Sequence, residues 1–411
     1  MKKSLVLLVV MASLLQGCSG EKPKIDTESV SSWKSPLGSF YGTSLMIDVP
    51  EPPLQAVWEK RLDAYSKSSP VTAGGAVVCA DNAGKVYCLD GKTSETIWTR
   101  EFKPVEKMQP VIGKNVVYVC DGKPSIQCLD INTGNTVWSA DLPGMPIGWP
   151  LNGEGRIWVC AGSHLVCYEE SVGTQIFDKT YDAEFTVSPT MQLYMYMISG
   201  NRLIAVVPKT GETAWTKTFE KNIIAPVSCD RTDIYVVDGR LYKLADKDGQ
   251  KVQMYTNDRV MDSKTGAWIS DPKLEAPFTT GAAIYVNMLV LGTEKGEVLG
   301  FQTADISQYV FFHRVNYAVT STPLVSAKYV WFTAPDVKET GRFFCIANAL
   351  NARWIWHDWL DEPVSSHPAG TKDCFYVLTD NGLLKRYETG GKPVDPAEDS
   401  KRQLDKTEKK P

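Results

Sequence analysis

Short apolar runs of four to six residues recur along the chain, each followed by a cluster of Gly, Asp, Asn, Thr or Pro. The best copy spans Pro110 to Leu142. Val116-Val117-Tyr118-Val119 is a β-rich run, Asp121-Gly122-Lys123-Pro124 is turn chemistry, and Ile126-Gln127-Cys128-Leu129 is a second strand. Asn132-Thr133-Gly134-Asn135 turns again before Thr136-Val137-Trp138, and Pro110-Val111-Ile112 adds a fourth short strand. Trp58, Trp98, Trp138, Phe177 and Trp215 mark the same point of successive copies, in steps of 40, 40, 39 and 38 residues. Four antiparallel strands at that period predict a propeller blade.

Seven further copies follow the same grammar. They are centred on Val77–Trp98, Ile157–Phe177, Tyr196–Trp215, Ile234–Leu244, Val290–Phe301, Trp331–Trp356 and Tyr376–Tyr387. The last lacks a fourth strand, and Trp58 lacks three strands before it. Ala56-Val57-Trp58-Glu59 therefore supplies the outer strand of the final blade, which leaves no large unpaired edge. The predicted fold is all-β: an eight-bladed β-propeller of four-stranded antiparallel blades, closed by an N-terminal strand completing the last blade. The propeller is expected over 53–390, and its Trp side chains are expected between neighbouring blades with each N–H on a backbone acceptor.

Lys2-Lys3 and the apolar stretch Leu5 to Leu15 form a signal-like start, too short to cross a membrane as a helix. Residues 1–17 read as a signal peptide, 18–52 as a lipidated Cys and flexible tether, and 391–411 as a disordered charged tail. Thr256 to Ala276 is a loop insertion on one face of the ring, where propellers often carry binding residues. The formal charge is −4, or −6 without Lys2 and Lys3, and no basic block precedes Lys409-Lys410. Nucleic acid is therefore not an expected partner.

Cys79 with Cys88, Cys120 with Cys128, and Cys160 with Cys167 each span a hairpin. Disulfides are one reading for an exported chain. The other is that the positions take small apolar residues, and Ala205 and Gly300 at the equivalent of Cys88 favour it. His164, His313, His357 and His367 lack metal-ligand spacing, and no phosphate loop or nucleophile elbow is present. Strand alternation places Trp354 and Trp356 on one sheet face and leaves Trp359 exposed, which keeps glycan stacking open.

Leu129-Asp130-Ile131-Asn132-Thr133-Gly134-Asn135-Thr136-Val137-Trp138 resembles the tryptophan-docking repeat of quinoprotein (PQQ) propellers. Lys209 to Trp215 repeats its second half, and Leu89 to Trp98 repeats it with Ser94 at the Gly position. Dehydrogenases of that kind imply a vicinal Cys-Cys disulfide and calcium ligands on long loops; this chain has no Cys-Cys and its inter-strand loops are short. No cofactor and no metal are therefore expected.

Leu15-Gln16-Gly17-Cys18 resembles a bacterial lipobox, which implies acylation of Cys18. Ser19 after it implies the outer membrane under enterobacterial-type sorting. Lipobox, tether, repeats and short loops together resemble the propeller lipoproteins of the outer-membrane β-barrel assembly machinery, its B subunit. The resemblance implies a non-enzymatic envelope scaffold that binds a barrel-assembly subunit through loops on one face. Asp258-Arg259-Val260-Met261-Asp262 is similar to the first half of a signature of that family, which makes Arg259 and Asp262 the partner-binding candidates. The rival readings are a PQQ-dependent quinoprotein dehydrogenase and a propeller that binds peptidoglycan or another glycan.

Overall fold

A computed structural model describes residues 24–28, 32–39, 41–105, 107–255, 260–261, 268–269, 276–315, 317–336, 340–347 and 353–394. Eight four-stranded antiparallel sheets are arranged as blades. Blade 1 consists of Val71–Ala73, Ala76–Ala80, Lys85–Asp90 and Thr96–Glu101. Blades 2 to 7 span 111–141, 151–180, 187–218, 228–255, 283–314 and 324–360. First strands of neighbouring blades lie side by side around the axis, and fourth strands form the outer wall. Blade 8 takes three strands from 369–389, and Leu54–Arg61 pairs antiparallel with Leu383–Thr389 as its fourth. The closure expected from Trp58 is therefore present.

The two ends of the ring differ. One face, the strap face, is crossed by residues 33–39 and 41–46 and carries the turns between first and second strands and between third and fourth strands. The far face carries the second-to-third turns and the connections from blade to blade.

The aromatic ruler sits between blades. The indole N–H of Trp58, Trp98, Trp138 and Trp215 donates to Gly91 O (3.0 Å), Ile131 O (2.7 Å), Glu170 O (3.0 Å) and Asp246 O (3.2 Å), each in the following blade. The acceptor turn is built by its own Asp. Asp130 Oδ1 accepts from the N–H groups of Asn132 and Thr133 and from the Thr133 hydroxyl, and Asp90 does the same for Lys92 and Thr93. Gly134 then lies on the Trp98 ring, where an added Cβ would come within 2.7 Å.

All eight blades slip register where the fourth strand begins, just before the ruler position. Each slip is a β-bulge, and a bulge reverses the alternation of side chains beyond it. This corrects the reading of Trp354 and Trp356. Trp356 pairs with Cys345 and is buried against blade 8, whereas Trp354 pairs with Ile346 and shares the opposite face with His357, 4.9 Å between ring centroids. Trp359, expected to be exposed, is only 7% exposed, and the Arg342 guanidinium lies over its ring at 3.3 Å.

A second correction concerns the expected tether. Trp33 is 1% exposed and pairs with Thr72 through two backbone bonds of 2.7 and 2.8 Å. From there the chain crosses the axis as a strap. Ile112 N–H donates to Lys34 O (2.8 Å), Cys229 N–H to Tyr41 O (3.1 Å), Ile284 N–H to Thr43 O (2.8 Å) and Val325 N–H to Ser44 O (3.0 Å). These acceptors tie it to the first strands of blades 1, 2, 5, 6 and 7. Leu37 is buried against Val111 and Trp149. The first strands have free inner edges with unpaired backbone groups, and the strap satisfies several of them. Composition suggested a solvated linker; the isolated apolar residues Trp33, Leu37 and Met46 are what bury it.

Candidate interaction faces

The far face presents exposed apolar side chains in its connections: Tyr65 (68% exposed), Met145 and Ile224. Ion pairs flank them. A residue at or just before the start of a third strand reaches an acid in the connection before the blade: Lys85 to Asp63 (2.7 Å), Arg202 to Asp182 (2.9 Å) and Arg240 to Glu220 (2.7 Å). Arg202 holds the Asp182 carboxyl below its ordinary range, and Lys85 does the same for Asp63. Exposed pairs of this kind contribute little stability, because water and salt screen them. Apolar anchors with a charged surround are the usual anatomy of a protein docking surface.

Arg259 and Asp262 lie outside the described residues, as does Cys18. The insertion leaves blade 5 after Tyr255, the end of its outer strand at the far face. Within it, Val260–Met261 pairs antiparallel with Trp268–Ile269. No sequence signal singled out Tyr65, Met145 or Ile224, because isolated apolar residues in connections read as ordinary packing.

At the far end of the first strands, polar groups bond one another from blade to blade. Ser69 N–H donates to Gln109 Oε1 (2.7 Å), and Gln109 Nε2 donates back to Ser69 O (2.8 Å). His367 N–H donates to the Ser69 hydroxyl (3.0 Å), Thr322 N–H to His367 Nδ1 (3.1 Å) and Gly281 N–H to the Thr322 hydroxyl (3.2 Å). Nδ1 of His367 therefore accepts, which fixes a neutral ring. Burial, with the nearby Lys107 ammonium, brings its pKa down to about 3.

The nine cysteines from Cys79 to Cys374 are buried and none is in a disulfide. Register places Cys79 and Cys88 on opposite faces of blade 1, against blades 8 and 2 respectively. Cys120 with Cys128 and Cys160 with Cys167 each share one blade interface. Their role here is that of small apolar side chains. Among the described residues, no three His, Cys, Asp or Glu side chains converge as a metal site, and no helix is long and apolar enough to cross a membrane.

The profile of the family described as outer membrane protein assembly factor BamB matches residues 122–198 and 192–334, together more than half of the chain. No curated protein sequence matches. Among solved structures, BamB from Moraxella catarrhalis superposes with a TM-score of 0.62 at 13% identity, over 82% of this chain and 99% of that one. The quinohemoprotein alcohol dehydrogenase from Comamonas testosteroni gives 0.68 at 13% identity, over 90% and 82%. A europium-containing methanol dehydrogenase gives 0.67 at 12% identity, over 88% and 99%. At such identities these likenesses establish the fold, and folds of this kind host both scaffolds and enzymes.

Proposed function

The chain belongs to the family of outer membrane protein assembly factor BamB, and from that premise we propose that it is a non-enzymatic scaffold of the bacterial envelope. It acts in the assembly of outer-membrane β-barrel proteins, held to the membrane by acylated Cys18 and bound to a barrel-assembly subunit through its far face. The observation that carries this reading is the division of labour between the two ends of the ring. One end is covered by the chain's own strap, while the other exposes Tyr65, Met145 and Ile224 among ion pairs.

The residues around the axis bear on a quinoprotein function. A quinone with calcium needs an open axial cavity whose polar groups are free to serve as ligands. Here Leu37 of the strap packs on Val111 and Trp149, and Ser69, Gln109, Thr322 and His367 are spent on one another at the far end. These residues do not fit that group. The glycan reading loses its main support with Trp359, which is buried beneath Arg342.

Affinity purification of the tagged full chain from detergent-solubilised envelopes tests the proposal. Recovery of the barrel-forming subunit, lost on Tyr65→Ala with Met145→Ala, is the expected result. Its absence, together with normal porin levels in a deletion strain, would overturn it. So would dye-linked alcohol oxidation on addition of PQQ and calcium.

A further inference from the structure

We propose that the strap fixes the orientation of the ring on the membrane, with the strap face against the lipid headgroups and the far face turned away. The inference rests on the acyl anchor at Cys18 proposed above.

The first argument is reach. The N-terminal end of the strap is itself bonded to the strap face. Ile25 N–H donates to Asn132 Oδ1 (2.9 Å), and Asn115 N–H donates to the Thr27 hydroxyl (2.8 Å). The Asp26 backbone lies so close to Gly74 that a Cβ there would meet it at 2.4 Å. Asn115 and Gly74 belong to first-to-second turns, and Asn132 to a third-to-fourth turn, so all three mark this face. Only six residue steps separate Cys18 from Lys24. At about 3.3–3.6 Å per extended residue they span roughly 20 Å. A strand of five or six residues is itself about 17–20 Å long. The link is about as long as the ring is thick, so the far face would meet the bilayer only with the link fully extended along the ring's wall, whereas the strap face meets it with the link slack. Had the tether been free to Pro52, as its composition suggested, either face could have met the membrane.

The second argument is the character of the strap face itself. The strap face carries exposed aliphatic side chains at its tips: Val172 in a third-to-fourth turn, Leu193 and Val286 in first-to-second turns, and Ile47 in the strap. Val286 is 72% exposed, and its backbone has φ of +53°, a conformation that β-branched residues rarely adopt. Nothing in the ring's packing calls for Val there, and Gly or Asn would be the unstrained choice. Aliphatic tips on a face held within about 20 Å of a bilayer suit the headgroup boundary, where apolar groups lose contact with water.

The test uses the acylated full chain in vesicles of phosphatidylethanolamine and phosphatidylglycerol that carry a headgroup nitroxide. A fluorophore is placed on Val286→Cys in one preparation and on Tyr65→Cys in another. The expected result is quenching several-fold stronger at 286 than at 65, with the difference reduced in Thr27→Ala with Asn132→Ala, which removes both bonds holding residues 25–27 to the strap face and so lengthens the link. Equal quenching, or stronger quenching at 65, overturns the orientation. Flotation of the same vesicles separates this outcome from failure of the anchor. A chain that floats but shows reversed quenching sinks the orientation alone, whereas one that does not float sinks both.

Discussion

Trp58 donates its indole N–H to the backbone carbonyl of Gly91 at 3.0 Å, and this contact joins the last blade to the first. The same bond is made at other blade interfaces, but only here do its two strands come from opposite ends of the propeller. Trp98→Ala, within the continuous part of the ring, should cost about 3–5 kcal/mol. Trp58 is only partly buried, so Trp58→Ala should cost less globally and act at the seam. Hydrogen exchange should show faster amides in Leu383–Thr389 than in the outer strand pairs of other blades. Uniform protection across all blades would show that the seam is not the weak point.

Ser94 and Gly134 occupy the same place in consecutive turns, with φ of +64° and +71°. The left-handed conformation costs a residue with a Cβ roughly 1–2 kcal/mol, and the extra freedom of Gly in the unfolded chain offsets about 0.4–1 kcal/mol of any gain. Ser94→Gly should therefore stabilise the ring by about 0.5 kcal/mol. Gly134→Ala should destabilise it by more than about 1 kcal/mol, because it adds the same strain and drives a Cβ into the Trp98 ring. Urea midpoints of the two variants should move in opposite directions.

The blade count, the closing strand and the interblade tryptophans were all legible, because each follows from a period or from turn chemistry written locally. The face of Trp354 was not. A one-residue bulge is invisible in an alternating pattern such as Trp354-Ile355-Trp356, yet it reverses every side chain beyond it. The strap was illegible for a different reason. Its backbone bonds to Thr72, Ile112 and Val325 carry no sequence signature, and three scattered apolar residues do not make a strand pattern. The far-face candidates belong to the same class, since exposure is a property of the assembled ring.

His367 ties folding to pH. Its pKa falls from 6.5 in the unfolded chain to about 3 in the ring, so between those values the unfolded state binds a proton that the folded state does not. Stability is complete above about pH 6.5 and declines as pH falls toward 3, by on the order of 1 kcal/mol per pH unit from this group. His367→Asn keeps an acceptor for the Thr322 N–H without a titrating ring. Buried carboxyls such as Asp246, whose pKa burial raises, act in the opposite sense. The difference between wild type and variant across pH 4–7 cancels their share. The variant should lose less stability in acid; parallel urea midpoints across that range would show that His367 does not carry the effect.

Burial pushes the thiols of Cys79, Cys120 and Cys128 up to about 12 and that of Cys167 to about 11, which suppresses the thiolate that reacts. The nine cysteines after Cys18 should resist maleimide in the native protein and all react in urea without reductant. Intact mass reads the outcome. Three additions in place of nine would indicate oxidised hairpin pairs.

Gly42 is the residue on which the strap's crossing depends. Its φ is +66°, its carbonyl lies 3.0 Å from the Ser228 hydroxyl, and a Cβ there would come within 2.7 Å of Val227 O, a backbone atom that cannot swing aside. Gly42→Ala therefore combines left-handed strain with a clash against blade 5. The bonds from Tyr41 and Thr43 to Cys229 and Ile284 flank this point and should break with it. The pairing of Trp33 with Thr72 lies on the far side of the axis and has its own buried anchor, so it should hold. The expected variant is a folded ring whose strap is open over blades 5 and 6. Limited proteolysis should then cut near Tyr41 at a protease level that leaves the wild type whole, while the far-ultraviolet spectrum stays unchanged. An uncut strap in Gly42→Ala would mean that blade 5 yields to the added methyl and that the crossing is held elsewhere.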